Sequence, residues 1–210
     1  MKTLVAFLKG VEMIDVKNVS IPVVITRDSD GNTLHQDIYS RLLKDRIIMI
    51  DGEIEPHMAS VVVAELLYLQ SEDENSPINI YISSPGGYCS AGLSIISTMN
   101  AVKPPVYVTA HGEIASMASV ITACGEKGHR MILPDTRVML HQASAGTQGN
   151  IQDMIVSLEE TKRVNELLLK KLADACGKTV YEMREATKRD FWLSDEDAVK
   201  FGVVDGIVGR

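Results

Sequence analysis

The 210-residue chain predicts an α/β fold, a sheet of parallel strands joined by helical crossovers. Two observations carry this. A strand–turn–helix unit recurs along the chain, each strand a β-branched run and each helix an apolar stripe of period near 3.6. The strand segments at 46–50, 78–82 and 106–110 are nearly all apolar, the pattern of strands covered on both faces. Strands alternating with helices in this way pair parallel through right-handed crossovers.

The elements follow in order. Residues 1–20 are a weakly patterned leader. Residues 21–36 read as a β-hairpin arm, β-branched from Ile21 to Thr26 and turned by Asp30-Gly31, which favours a tight hairpin. Such an arm cannot bury both faces alone and is expected to line a surface or pore. Asp37 can cap a short helix over Ile38–Lys44. After the strand at 46–50, Pro56 opens a helix carrying Ala59, Val62, Val63, Leu66 and Leu67 on one stripe, to about Gln70. The strand at 78–82 leads through Ser84-Pro85-Gly86-Gly87 into a helix over 90–101. The strand at 106–110 turns at Gly112 into a small-residue helix over 115–124, and strands follow at 130–133 and Arg137–Leu140.

A long helix spans Ile151–Cys176, with Ile151, Ile155, Leu158, Val164, Leu168, Leu172 and Ala175 on one stripe and Gly177 ending it. Its length exceeds the average of about 11–12 residues, so it is expected to project and pack against a partner. Thr179 and Glu182 form a capping box for the next short helix, and Ser194 caps another that ends near Gly202. No inter-domain linker interrupts the chain. One domain, 37–210, is expected behind the leader and arm.

Composition excludes several functions. Lys and Arg number 21 against 28 Asp and Glu, a net charge of −7, which lacks the basic footprint of nucleic-acid binding. No apolar run approaches the roughly 20 residues of a membrane span, and the first nine residues are too short in apolar stretch for a secretory signal. Three cysteines, Cys89, Cys124 and Cys176, form neither a C-x-x-C pair nor a zinc-ligand spacing. A cytoplasmic chain is expected.

Three places could carry chemistry. Gly87 and Gly92 have phosphate-loop spacing, but Leu93 stands where that motif needs lysine. Pro85-Gly86-Gly87 instead leaves backbone N–H groups bare, free to point at an anion, or is a plain strand-to-helix turn. In Ala115-Ser116-Met117-Ala118, Ser116 lies at a helix start beside free N–H groups, suited to a nucleophile with an oxyanion site; it could equally be a packed helix serine. The G-x-S-x-G elbow is absent, because Ala118 replaces its last glycine. Of five histidines, His141 sits at the C-terminal end of an apolar strand, where ligands gather in open α/β sheets. His129 looks solvated, and His35 and His57 look like surface residues. Asp190, beside Phe191 and Trp192 that could bury it, is the better carboxylate to orient a base; Asp135 is weaker.

These residues stand in motifs that resemble the proteolytic subunits of Clp proteases, a serine peptidase family. The resemblance runs from about Ile21 to Val208. It includes 37–48, Tyr81-Ile82-Ser83-Ser84-Pro85-Gly86-Gly87, Ala115-Ser116-Met117, Arg137-Val138-Met139-Leu140-His141-Gln142, and Arg189-Asp190 with Leu193-Ser194. It implies a crotonase-like, Clp-protease-like βαβ superhelix with a protruding helix–strand handle over about 143–176, its strand near 146–149. It implies Ser116 as nucleophile, His141 as base, Asp190 as its orienter, and the N–H groups of Gly87 and Met117 as oxyanion hole. It further implies a homo-oligomer of two stacked seven-membered rings, an AAA+ unfoldase that feeds unfolded polypeptides inward, the hairpin arm as an axial loop, and no metal or organic cofactor.

Five positions depart from the family pattern. Ala118 replaces a glycine, and its methyl is expected to crowd substrate or an oxyanion N–H. Glu113-Ile114 replaces Gln-Ala. Ala143 replaces a proline, which is expected to loosen the strand behind His141. Lys188 replaces an acid that in relatives pairs across the ring junction. A non-catalytic ring subunit and a crotonase-type acyl-CoA enzyme are the alternative readings.

Overall fold

A computed structural model describes residues 21–27 and 33–209 of the chain. The leader and the Asp30-Gly31 hairpin tip lie outside the described residues. The chain divides into two compact units after Arg41.

In the first unit, β1 (Val23–Arg27) pairs antiparallel with β2 (Thr33–Asp37), the hairpin read from the sequence. Helix α1 (Ile38–Lys44) begins there. The Asp37 carboxylate accepts the Ser40 N–H at 2.9 Å and so caps it.

The second unit is built on a seven-stranded sheet. Its strands are β3 (Ile47–Asp51), β4 (Ile78–Ser84), β5 (Val106–Ala115), β6 (Arg130–Ile132), β7 (Arg137–Leu140), β8 (Phe191–Leu193) and β9 (Gly206–Ile207). The order β3-β4-β5-β6-β9 is parallel throughout. Beyond Ala110, β5 exchanges β6 for β7, also parallel, and β8 adds antiparallel to β7. β5 is longer than the sequence predicts because Gly112 does not turn the chain. It sits within the strand, where the β4–β5 register shifts between Ile82 and Ser84.

Helices α2 (Pro56–Glu72), α3 (Cys89–Ala101) and α4 (Met117–Ala123) build the core against this sheet. Burial on β4 alternates strictly, with Ile78, Ile80 and Ile82 at 0% exposure and the residues between them half-buried. The predicted cover on both faces is therefore incomplete within one chain, because the core cluster gathers on one side only. On α2 the buried stripe is Ala59, Val62, Leu66 and Leu69, while Leu67 of the predicted stripe is exposed. Arg46 turns into β3 with φ of 63°, and its guanidinium donates to the carbonyls of Leu69, Asp73, Ser76 and Pro77, closing the C-terminal end of α2.

Helix α5 (Ile151–Cys176) has the predicted bounds, with Asn150 capping its start and Gly177 in the left-handed conformation at its end. Only Leu168, Leu169, Leu172 and Ala173 are buried, so the N-terminal half leaves Ile151, Ile155, Val156 and Leu158 exposed. The predicted strand near 146–149 does not form: 141–148 has no regular structure. Strand geometry needs a second strand to satisfy its N–H and C=O groups, and none of the described residues pairs there. Helices α6 (Val180–Ala186), with the full Thr179–Glu182 capping box, and α7 (Asp195–Phe201), capped by Ser194, complete the unit. Arg130, with its side chain 4% exposed, is held by Asp205 and by the carbonyls of Ala123 and Ala175. No helix among the described residues is long and apolar enough to cross a membrane.

Candidate active site

Sheet register assembles the site. The β5–β7 pairing sets Ala115 beside Met139, so Ser116 emerges next to the end of β7. The β7–β8 pairing sets Leu140 opposite Phe191, so His141 and Asp190, the next residues outward on each strand, face one another. Three side chains distant in sequence thus meet at one sheet end. Ser116 Oγ lies 2.7 Å from His141 Nε2. His141 Nδ1 lies 3.6 Å from Asp190 Oδ1, too far for a hydrogen bond but within ion-pair reach. The expected burial of Asp190 by its aromatic neighbours is not found: its side chain is 64% exposed. Phe191 turns instead toward Phe201, and Trp192 lies under Arg137.

Ser116 lies between β5 and α4 rather than in the helix, with φ 55° and ψ −122°. A non-glycine residue holds such a conformation at a cost of order 1–3 kcal/mol, and only where its surroundings impose it. Here they do. The Ser116 N–H donates to Met139 O at 2.9 Å. The fully buried Ser119 hydroxyl reaches both Ile114 O and Met139 O, at 3.1 and 2.9 Å. The sharp strand-to-helix turn of a nucleophile elbow is present although its flanking glycine is not.

The Gly86-Gly87 pair lies against this turn. Gly86 has φ of 95°, and a Cβ there would stand 2.6 Å from Ser116 Cβ. Gly87 passes so close to Ile54 that any side chain would strike the Ile54 carbonyl. Among the described residues no acceptor meets the N–H of Gly87 or of Met117, the first residue of α4. Two free amides therefore flank the serine.

Beside Ser116 and His141 opens a small, mostly apolar cavity, lined by Cys89, Met117 and Val120 and by Leu168, Leu169 and Leu172 of α5. Sequence reasoning missed Cys89, Asn165 and the α5 leucines as site residues. The α5 stripe was visible as periodicity, but nothing in it said that it faces the serine. Gly86 was read only with Gly87 as a turn, and its contact with Ser116 is made in space.

The other candidates lie elsewhere. His129 stacks on Tyr107 at 3.9 Å, and His35 and His57 are exposed. His111 on β5 has a buried Nε2 without a partner. The Asp135 N–H donates to Asp195. Two departures from the family pattern read differently in the structure. Ala118 is 0% exposed with its methyl in the core, so it does not crowd the site. The Ala143 N–H donates to Asn165 Oδ1 at 2.9 Å, a bond that proline could not make. Lys188 pairs with Glu185 one turn away. Among the described residues no group of three or more His, Cys, Asp or Glu could hold a metal ion.

Known proteins resemble this chain over most of its length. The family profile described as Clp protease matches residues 30–210. The ATP-dependent Clp protease proteolytic subunit of Streptococcus suis (strain 98HAH33) is 43% identical over 190 residues, covering 90% of this chain and 96% of that protein. The subunits of the same name from Streptococcus gordonii and Streptococcus mutans are 43% and 42% identical over similar spans. The chain belongs to the Clp protease family.

Proposed function

We propose that the chain is a serine endopeptidase that hydrolyses unfolded polypeptides, with Ser116 as nucleophile, His141 as general base and Asp190 as its orienter. The observation that carries this is the 2.7 Å contact between Ser116 Oγ and His141 Nε2, beside two unpartnered amides. Ser116 attacks the scissile carbonyl while its proton passes to Nε2. The tetrahedral oxyanion is held by the N–H groups of Gly87 and Met117, which need no reorganisation because the strained turn already presents them. Collapse expels the amine, which takes the proton from the imidazolium; a water deprotonated by the same nitrogen then releases the acyl group. Asp190 keeps the proton on Nδ1, and the 3.6 Å gap shortens when substrate or a neighbouring subunit covers the exposed carboxylate. The small apolar cavity favours an uncharged over a charged side chain next to the scissile bond.

The exposed apolar half of α5 supports assembly. Ile151 and Val156 are 69% and 65% exposed on a helix that no other element among the described residues covers at that end. Burial against a second copy forms the two stacked seven-membered rings, with the hairpin arm at the axial entry, in the cytoplasm. An AAA+ unfoldase named by family resemblance delivers the chains, which accounts for ATP dependence. Hydrolysis of a short fluorogenic peptide by wild type and by Ser116→Ala tests the chemistry, and native mass spectrometry tests the assembly. Turnover confined to wild type is expected; retained turnover in Ser116→Ala refutes the assignment.

A further inference from the structure

β7 ends at Leu140, and 141–149 has no regular structure apart from a bend at its end. Among the described residues, one hydrogen bond besides the contacts of the His141 ring ties this stretch to the rest of the unit: the Ala143 N–H donates to Asn165 Oδ1 at 2.9 Å. Asn165 is well placed to hold it. Val164 packs against the core, and Leu168 and Leu169, one turn on, are buried at 8% and 2% exposure, so α5 is anchored here. Asn165 also lines the cavity that holds Ser116 and His141.

We propose that Asn165 is a positioning residue for His141, a proposal that rests on the serine-peptidase reading above. Its side-chain carbonyl fixes the backbone two residues past the imidazole and thereby holds Nε2 on the Ser116 hydroxyl. Among the described residues this tie is the one hydrogen bond on the C-terminal side of the imidazole, beside the packing of the Ala143 side chain against the core. Without the tie, the chain leaving β7 keeps only the packing of Ala143 to hold it, and His141 is its first residue. The bond depends on the residue at 143 having an N–H, which alanine supplies and proline cannot. It also links α5 to the base directly, so displacement of α5 at Asn165 moves His141.

The test compares Asn165→Ala, Asn165→Asp and Ala143→Pro, with Ser116→Ala alongside, in the full-length protein. Peptide kcat and KM, the rate of Ser116 phosphonylation and the melting temperature are measured. Misplacement of a reacting group by about 1 Å costs up to about 100-fold. Asn165→Ala is therefore expected to lower kcat and phosphonylation by about 10-fold to 100-fold, with KM changed less than about threefold. Asn165→Asp, which keeps the acceptor oxygen, restores most of the rate. In an Ala143→Pro background the donor is already gone, and Asn165→Ala has little further effect. Wild-type kcat in Asn165→Ala overturns the proposal, as does an equal loss in both backgrounds or failure of Asn165→Asp to rescue. Activity retained in Ser116→Ala would instead overturn the serine-peptidase reading itself.

Discussion

Substituting Gly86 by alanine should cripple the site while leaving the fold in place. The new Cβ would stand 2.6 Å from Ser116 Cβ, 2.8 Å from Ala115 O and 3.0 Å from Met117 N. Carbon atoms in contact settle at about 3.5–4.0 Å, so relief requires a shift of roughly 1 Å between the glycine pair and the serine turn. Two of the three struck residues carry the proposed nucleophile and one amide of the proposed oxyanion site. A 1 Å error in such a constellation costs about 100-fold, close to 2.7 kcal/mol of barrier. The φ of 95° adds strain of about 1–2 kcal/mol to the folded state. Gly52→Ala is the matched control: Gly52 has φ of 79° but nothing within 4 Å of a new Cβ. It should lose similar stability and no activity. Peptide kcat/KM, phosphonylation rate and melting temperature for both variants read the two effects apart. Wild-type kcat/KM in Gly86→Ala, or an equal loss in Gly52→Ala, refutes the reasoning.

Three further predictions concern the scaffold. Ala118→Gly should destabilise α4 by about 1 kcal/mol and leave kcat/KM within about twofold of wild type, because the methyl lies in the core and not over the serine; a gain in activity contradicts this. Asp205→Ala strands the buried Arg130 guanidinium and should cost about 3–5 kcal/mol in denaturant unfolding. Burial raises the Asp205 carboxyl, but the hydrogen bonds and charge of Arg130 outweigh it and hold it below the usual carboxylate range. Its contribution is therefore present above about pH 4 and lost as pH falls through the lowered value, and in Asp205→Asn this acid-side loss disappears. Burial pushes the Cys176 thiol up to about 11, so iodoacetamide at pH 8 should modify Cys176 in the unfolded protein and spare it in the native one.

The sequence carried the fold well because the deciding signals are local. Capping at Thr179, Ser194 and Gly177 and the period of α5 each act within one or two turns, and each element stands where it was read. What local pattern could not carry is contact. The stripe on α2 misassigned Leu67, since which neighbours a helix meets decides which flank is covered. The strand near 146–149 was expected from resemblance, and a strand exists only where another pairs with it. At the site, Ser116 and His141 were legible as a helix-start serine and a strand-end histidine. Their 2.7 Å meeting depends on the β5–β7 register, and the proximity of Asp190 on the β7–β8 register, which no single segment encodes. Ala143 shows the reverse case: the missing proline read as loss of stiffness, while the N–H it exposes finds Asn165 across 22 residues of chain.

The most direct test of the account is the site of covalent modification by a fluorophosphonate, mapped by peptide mass spectrometry on the native protein. One adduct, on Ser116, is expected, formed at a rate that collapses in His141→Ala and falls in Gly86→Ala. Absence of an adduct on Ser116, or labelling that persists unchanged in His141→Ala, would contradict it.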